Sequence, residues 1–222
     1  MGRSVGGRVY FYRFPWKNGE MFDQSSGNPI ERSSGTGSEE FGAGPETDYF
    51  RDPASAHVIA SAPFIYEELS GDFTMTARVE PQFSATYDAG GLLLMVDDEH
   101  WLKLAYENTD IGYPAIVSVA TNGRSDDCNG EKWSTGSVLL RMSRKGGALG
   151  CYYGKSVGTL KMKRLLRVPG LPTTEDSGGA IVSTGPLRIG LTVQSPKGSG
   201  TRARFTEIEL RSVGVEDMRR GV

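Results

Sequence analysis

Alternation with a period of two recurs along the second half of this chain, and it constrains the fold more than any other feature. In DFTMTARVE (residues 72–80), Phe73, Met75, Ala77 and Val79 fall on one face while Thr74, Thr76 and Arg78 fall on the other, the pattern of a half-buried strand. PLRIGLTVQ repeats it, with Leu187, Ile189, Leu191 and Val193 set against Arg188, Thr192 and Gln194, and RARFTEIEL follows the same rule. Further strands are expected at residues 7–14, 63–67, 90–97, 100–107, 114–121, 137–144, 148–153 and 159–166. Short turns such as Asp97-Asp98-Glu99 and Lys145-Gly146-Gly147 separate them. No stretch of ten or more residues carries a convincing helical period. Antiparallel strands of this kind bury their apolar faces by forming a sandwich or barrel.

Thirty glycines and eleven prolines in 222 residues suit such a turn-rich architecture. A β-sandwich of this length is commonly one domain, so a single domain over residues 1–222 is expected. A chain of this size buries roughly 70% of its unfolded surface and needs neither metal nor disulfide to stay folded. Two stretches break the strand rhythm. Residues 24–48 and 168–179 are rich in Gly, Ser, Glu and Pro with little to bury, and are expected to be long surface loops.

Charge is close to balanced, with 25 basic and 27 acidic side chains, so no global field draws the chain to nucleic acid or anionic lipid. The basic run Lys161, Lys163, Arg164 and Arg167 alternates with apolar residues and reads as a solvated strand face. The segment MGRSVGGRVYFYRF lacks the apolar core of a signal peptide, and the apolar run at residues 92–96 is too short to span a membrane. The expectation is a cytoplasmic protein. Cys128 and Cys151 lack metal-type spacing and read as free thiols, and no cofactor or metal is expected.

The blocks SGDFTMTARVEPQF, YDAGGLLLMVDDEHWLKLAYE, IVSVATNGRSDDCNG, VLLRMSRKGGALGCYYG, IGLTVQSPKGSG and FTEIEL occur in that order. Together with TDYFRDP at the entry, the sequence from about Thr47 to Leu210 resembles the regulation-of-enolase-type proteins, domain of unknown function 1349, within the concanavalin-A-like lectin/glucanase superfamily. The resemblance implies an all-β jelly-roll sandwich of two curved antiparallel sheets, whose concave face binds glycans in many superfamily relatives. It extends to sandwich modules appended to glycosidases. Two departures stand out: residues 153–160 lack the Trp that family members tend to carry there, and the N-terminal Gly/Ser segment has no counterpart.

Within that frame HWLKLAYEN is the most informative strand. With Leu102, Leu104 and Tyr106 in the core, Trp101, Lys103 and Glu107 share the opposite face, an indole for stacking on sugar CH groups beside charged partners for hydroxyls. The opposite parity would place Trp101 inside. Arg141, Gln194, Arg78 and Arg188 occupy comparable polar positions and extend the candidate ligand-binding set. The expected ligand is a carbohydrate or sugar phosphate. A protein partner, in a regulatory module, is the alternative.

Catalysis has weaker support. GKSVG (residues 154–158) fits Gly-x-Ser-x-Gly, but TLKMKRLL after it is strand-like, and His57 and His100 are remote in sequence from Ser156. The same stretch lacks the earlier Gly of a phosphate loop. Glu67 and Glu68 are adjacent and face opposite ways on a strand, and Glu107 has no acidic partner on its own strand, so a glycosidase or lyase pair would have to span strands. TNGRSDDCNG (residues 121–130) carries Asn-Gly turn signals at both ends, with Asp126, Asp127 and Asn129 expected to hold the shape of a loop at the rim of the groove. Its oxygen donors are Asp126, Asp127, Asn129 and a few carbonyls, at a spacing that is not that of a known calcium loop. Cys128 has acidic immediate neighbours, which do not favour a thiolate.

Overall fold

The computed structural model describes residues 22, 24–179, 181–183 and 185–222. The strand expected at residues 7–14 lies outside them. Two seven-stranded antiparallel sheets pack face to face. The first runs, edge to edge, β1 (Gln24–Ser26), β6 (Phe64–Ser70), β17 (Pro186–Gln194), β8 (Ala89–Asp97), β9 (His100–Asn108), β10 (Pro114–Asn122) and β11 (Arg124–Cys128). The second runs β14 (Lys161–Arg167), β13 (Ala148–Gly154), β12 (Val138–Lys145), β7 (Phe73–Pro81), β18 (Thr201–Arg211), β3 (Ser38–Ala43) and β2 (Ile30–Gly35). Two small hairpins stand apart, β4 (Tyr49–Arg51) with β5 (Val58–Ala60), and β15 (Thr173–Glu175) with β16 (Ile181–Ser183).

The alternation in the sequence is what fills the space between the sheets. Met75, Ala77 and Val79 from β7, Leu140 and Met142 from β12, and Phe205 from β18 meet Leu92 and Leu94 from β8, Leu102 and Leu104 from β9, and Ile189 and Leu191 from β17. All are essentially solvent-free, which on the usual area scale contributes roughly 2 kcal/mol per large side chain. Phe41 on β3 stacks on Phe205 at 5.4 Å and extends this core toward the chain's first strands.

The segment 24–48 differs from expectation. It carries β1, β2 and β3, so most of it is sheet. β1 and β2 are edge strands, β3 between β2 and β18 supplies Phe41 and Ala43 to the core, and Glu39 is accommodated by Arg32 and Ser34. Residues 168–179 are irregular apart from β15. The basic run also differs: Arg164 bonds Asp126 at 2.9 Å, Lys161 bonds Glu131 at 3.0 Å, and Lys163 Nζ lies 3.5 Å from Cys128 Sγ. These side chains join the edge of the second sheet to that of the first. Sequence spacing alone cannot show that two edges meet.

Candidate functional site

On the first sheet the face turned away from the core presents one row from each strand. Register sets Gln194 opposite Ala89, Ala89 opposite Glu107, Leu93 opposite Lys103, Lys103 opposite Val119 and Val119 opposite Asp127. Small residues at Ala89, Gly91 and Ala105 leave room above this floor. The β4–β5 hairpin covers one end of it. Arg51 ties the hairpin down, its Nε donating to the carbonyl of Gly123, Nη1 to that of Asp98 and Nη2 to Glu99 Oε1, while its backbone N–H donates to Ser125 Oγ. Gly123 serves as the turn because its φ is +74°.

A cleft of about 690 Å³ opens between the hairpin, the floor and the loops before β8 and after β17. Lys103, Glu107, Asp127 and Gln194 line its floor, Phe50, Ile59 and His57 one wall, and Tyr87, Pro196 and Lys197 the other side. Of the residues singled out in sequence, Lys103, Glu107, Gln194 and Asp127 are thus brought together. Trp101 is not. It shares their face but is 0% exposed, packed beneath the hairpin with Leu93, Met95 and Phe64, its ring 5.9 Å from Tyr49 and edge-on to it. It supports the hairpin and is out of reach of a ligand.

Arg141 also stands elsewhere. It lies on β12 of the second sheet, where Nε donates to Thr76 Oγ1 at 2.9 Å and Nη1 to the carbonyl of Gly221 at 2.7 Å, under the chain's last residues. Polar parity matched that of β9, but parity does not tell which sheet a strand joins. Arg78 pairs with Glu207 on the same second sheet. Arg188 is on the first sheet, over the ring of Tyr66. Ser156 sits in an exposed capping box with Thr159, at a single 3-10 turn, far from the strand-to-helix setting of a nucleophile.

Lys103 is buried with three acceptors around its ammonium: Asp48 Oδ1 at 2.7 Å, Gln194 Oε1 at 2.6 Å and the carbonyl of Tyr49 at 3.2 Å. An ammonium has three N–H donors, so none is left for a ligand. Its role is to join the root of the β4–β5 hairpin to the floor. The lysine also fixes the Gln194 amide, whose oxygen faces Lys103 and whose Nε2 donates to the carbonyl of Tyr87 at 3.2 Å and to Glu107 Oε2 at 3.4 Å. Burial pushes the Glu107 carboxyl from 4.5 up to about 8, against the pull of Lys103 and with the help of Asp48, Asp127 and Asp110. At neutral pH Glu107 is a neutral acid, able to donate as well as accept. Desolvation also raises Asp127, against the opposing effect of Lys103.

Tyr87 adopts φ +68°, a left-handed conformation that is costly for an aromatic residue. Asp88 holds it there. Its Oδ2 accepts from Ser84 N, Ser84 Oγ and Ala85 N, each at 2.8 Å, and its Oδ1 accepts from Ser195 Oγ at 2.7 Å. Asp48, Phe50, His57, Ile59 and Tyr87 were missed in sequence because they belong to loops and a hairpin with no periodic signal. TDYFRDP contains Asp48 and Phe50 and YDAGG contains Tyr87, whereas His57 and Ile59 lie in neither block.

Asp126 points to Arg164 and away from the cleft. The expectation of a rim loop over residues 126–129 is corrected in part. Arg124–Cys128 is edge strand β11, which places Asp127 at the edge of the floor by ladder register, and Asn129 is exposed beyond its end. Cys128 is half-exposed beside Lys163, and Cys151 is buried, its thiol pushed up to about 12 by desolvation. Among the described residues no three His, Cys, Asp or Glu side chains form a group suited to a metal ion, and no helix is long and apolar enough to cross a membrane.

Two stacked antiparallel sheets with a cleft on the outer face of one define a concanavalin-A-like jelly roll. The legume lectin-like domain from Entamoeba histolytica has the same fold, with a TM-score of 0.53 and 11% identity over 95% of this chain and 100% of that one. The family model described as "Protein of unknown function (DUF1349)" matches residues 29–213, and the chain belongs to that family. It is 30% identical over 172 residues to Regulation of enolase protein 1 of Saccharomyces cerevisiae, covering 74% of this chain and 77% of that protein. A crystal structure of a functionally unknown protein from the same yeast superposes with a TM-score of 0.74 at 24% identity, over 84% of this chain and 94% of that one.

Proposed function

We propose that the cleft binds a carbohydrate or carbohydrate-like ligand without cleaving it. The observation that carries this reading is the pairing of half-buried Phe50 and Tyr87 with the Glu107 carboxyl on the floor, hydrophobic faces for sugar CH groups beside a group that exchanges hydrogen bonds with hydroxyls. The held conformation of Tyr87 supports it, since backbone strain that the surroundings enforce concentrates at binding sites. Binding without cleavage is supported by register. The backbones of Glu107 and Asp127 oppose positions four residues apart on β10, about 13 Å along the strand, on strands separated by β10, so the two carboxyls are not set side by side by the ladder. A retaining glycosidase needs its carboxyls about 5 Å apart. A sugar phosphate fits poorly, because Lys103 is consumed within the protein.

The test is a glycan panel read by thermal shift and calorimetry, with Phe50→Ala as control. Ligand at a hundredfold excess over Kd stabilises by about 2.7 kcal/mol, and Phe50→Ala should weaken binding about tenfold with little change in folding. A silent panel at millimolar concentrations refutes the reading. A regulatory protein-interaction module within central carbon metabolism is the second reading, favoured by the name of the yeast relative. Recovery of a stoichiometric protein partner, with the panel silent, would establish it.

A further inference from the structure

The cleft's charge is one-sided once its internal pair is set aside. Lys103 is paired with Asp48, which leaves the carboxyls of Glu46, Asp52 and Asp127, with Glu107 on the floor, against the single ammonium of Lys197. Asp52 Oδ1 is engaged by the backbone N–H groups of Ala54 and Ser55. Glu107 is the buried member, 6% exposed, with one long contact from Gln194 to Oε2 and no second hydrogen-bond partner among the described residues. The charged groups that act on it are Lys103 on its own strand, Asp48 from the hairpin root, Asp127 from β11 and Asp110 from the loop after β9, and only the first is a cation. A ligand hydroxyl there gains one hydrogen bond. A ligand ammonium gains a charge-assisted bond together with the longer-range attraction of Asp127. A phosphate meets repulsion.

Resting on the carbohydrate reading, the geometry points to an amino sugar as the ligand, its ammonium against Glu107 and its ring against Phe50 or Tyr87. One consequence distinguishes this from the binding of a neutral sugar. Without ligand Glu107 holds a proton at neutral pH. An ammonium set against it favours the carboxylate, so the carboxyl proton passes to the buffer as the ion pair forms, with no other bond made or broken. Binding of an amino sugar therefore releases up to one proton per site, and binding of a neutral sugar releases none.

Three β-1,4-linked tetrasaccharides that differ only at C2 supply the test: cellotetraose with hydroxyls, chitotetraose with acetamido groups, and the glucosamine tetramer with amines. Calorimetry at about pH 6, in buffers of different ionisation enthalpy, reads both affinity and proton release; an amine of ordinary basicity is charged there. The glucosamine tetramer should bind about tenfold more tightly than cellotetraose and alone release close to one proton. Glu107→Gln should abolish the release and bring the three ligands to similar affinity. Equal or tighter binding of cellotetraose, or binding of the amine without proton release, overturns the amino-sugar inference and leaves the carbohydrate reading standing. Silence from all three overturns this inference, and the wider glycan panel then decides the carbohydrate reading separately.

Discussion

Replacing Glu107 by glutamine should remove a loss of stability that the protein undergoes as pH rises through the neutral range. The Glu107 carboxyl titrates at about 8 in the folded protein against an ordinary value of 4.5, chiefly because burial penalises its charged form. Between those values the native state keeps a proton that the unfolded chain has released. Stability therefore falls with rising pH, by about 1.4 kcal/mol per unit, and the full interval amounts to about 5 kcal/mol. Below the lower value both states are protonated and the term vanishes; above the upper one both are ionised and the loss is complete. Glutamine keeps the shape and the acceptor for Gln194 Nε2 without titrating. In urea unfolding followed across this range, wild type and Glu107→Gln should coincide at acid pH and diverge toward alkaline pH, the variant being the more stable, with midpoints about 2 M apart at the end. Every other titrating group is common to both proteins, so the difference isolates Glu107. Parallel pH profiles would refute the argument, because they would mean that the carboxyl ionises in the fold as it does in water.

Lys103→Met should cost about 3 kcal/mol by leaving Asp48 and the Gln194 carbonyl without their cation, and limited proteolysis should then nick residues 52–57 of the loosened hairpin. Asp88→Ala should cost about 3 kcal/mol in denaturant unfolding, since it strands the N–H groups of Ser84 and Ala85, and calorimetry should show weakened binding as Tyr87 leaves its left-handed conformation. Arg141→Met should lower stability by about 2 kcal/mol through its lost bonds to Thr76 and Gly221, yet leave the affinity of any cleft ligand unchanged, because the guanidinium lies on the other sheet.

The strands were legible because burial between two sheets writes a period of two into the chain. On β9 the parity reading placed Leu102, Leu104 and Tyr106 in the core and Lys103 and Glu107 opposite, as the structure has them. Trp101 shows where that reasoning stops. Period two assigns a side chain to a face, and only the rest of the chain determines whether that face is open, here the β4–β5 hairpin drawn over it. Arg141 shows a second limit, since sheet membership is a long-range property that no local pattern encodes. In 24–48 the composition suggested a loop, and cross-strand pairing with β18 and β6 decided otherwise. The partners of the basic run were hidden for the same reason: Asp126 and Arg164 are 38 residues apart and meet only because two sheet edges do.

The β4–β5 hairpin belongs to neither large sheet, yet it supplies Phe50, His57 and Ile59 to the cleft and is held mainly through Arg51 and the bond between Asp48 and Lys103. Wall and scaffold are therefore separable units. Substitutions at the hairpin's inward positions can retune which ligand is accepted without disturbing the packed core, while the anchors tolerate little change. The same architecture offers a practical handle: exchanging the residues between the two anchored ends is the natural way to diversify specificity on this scaffold.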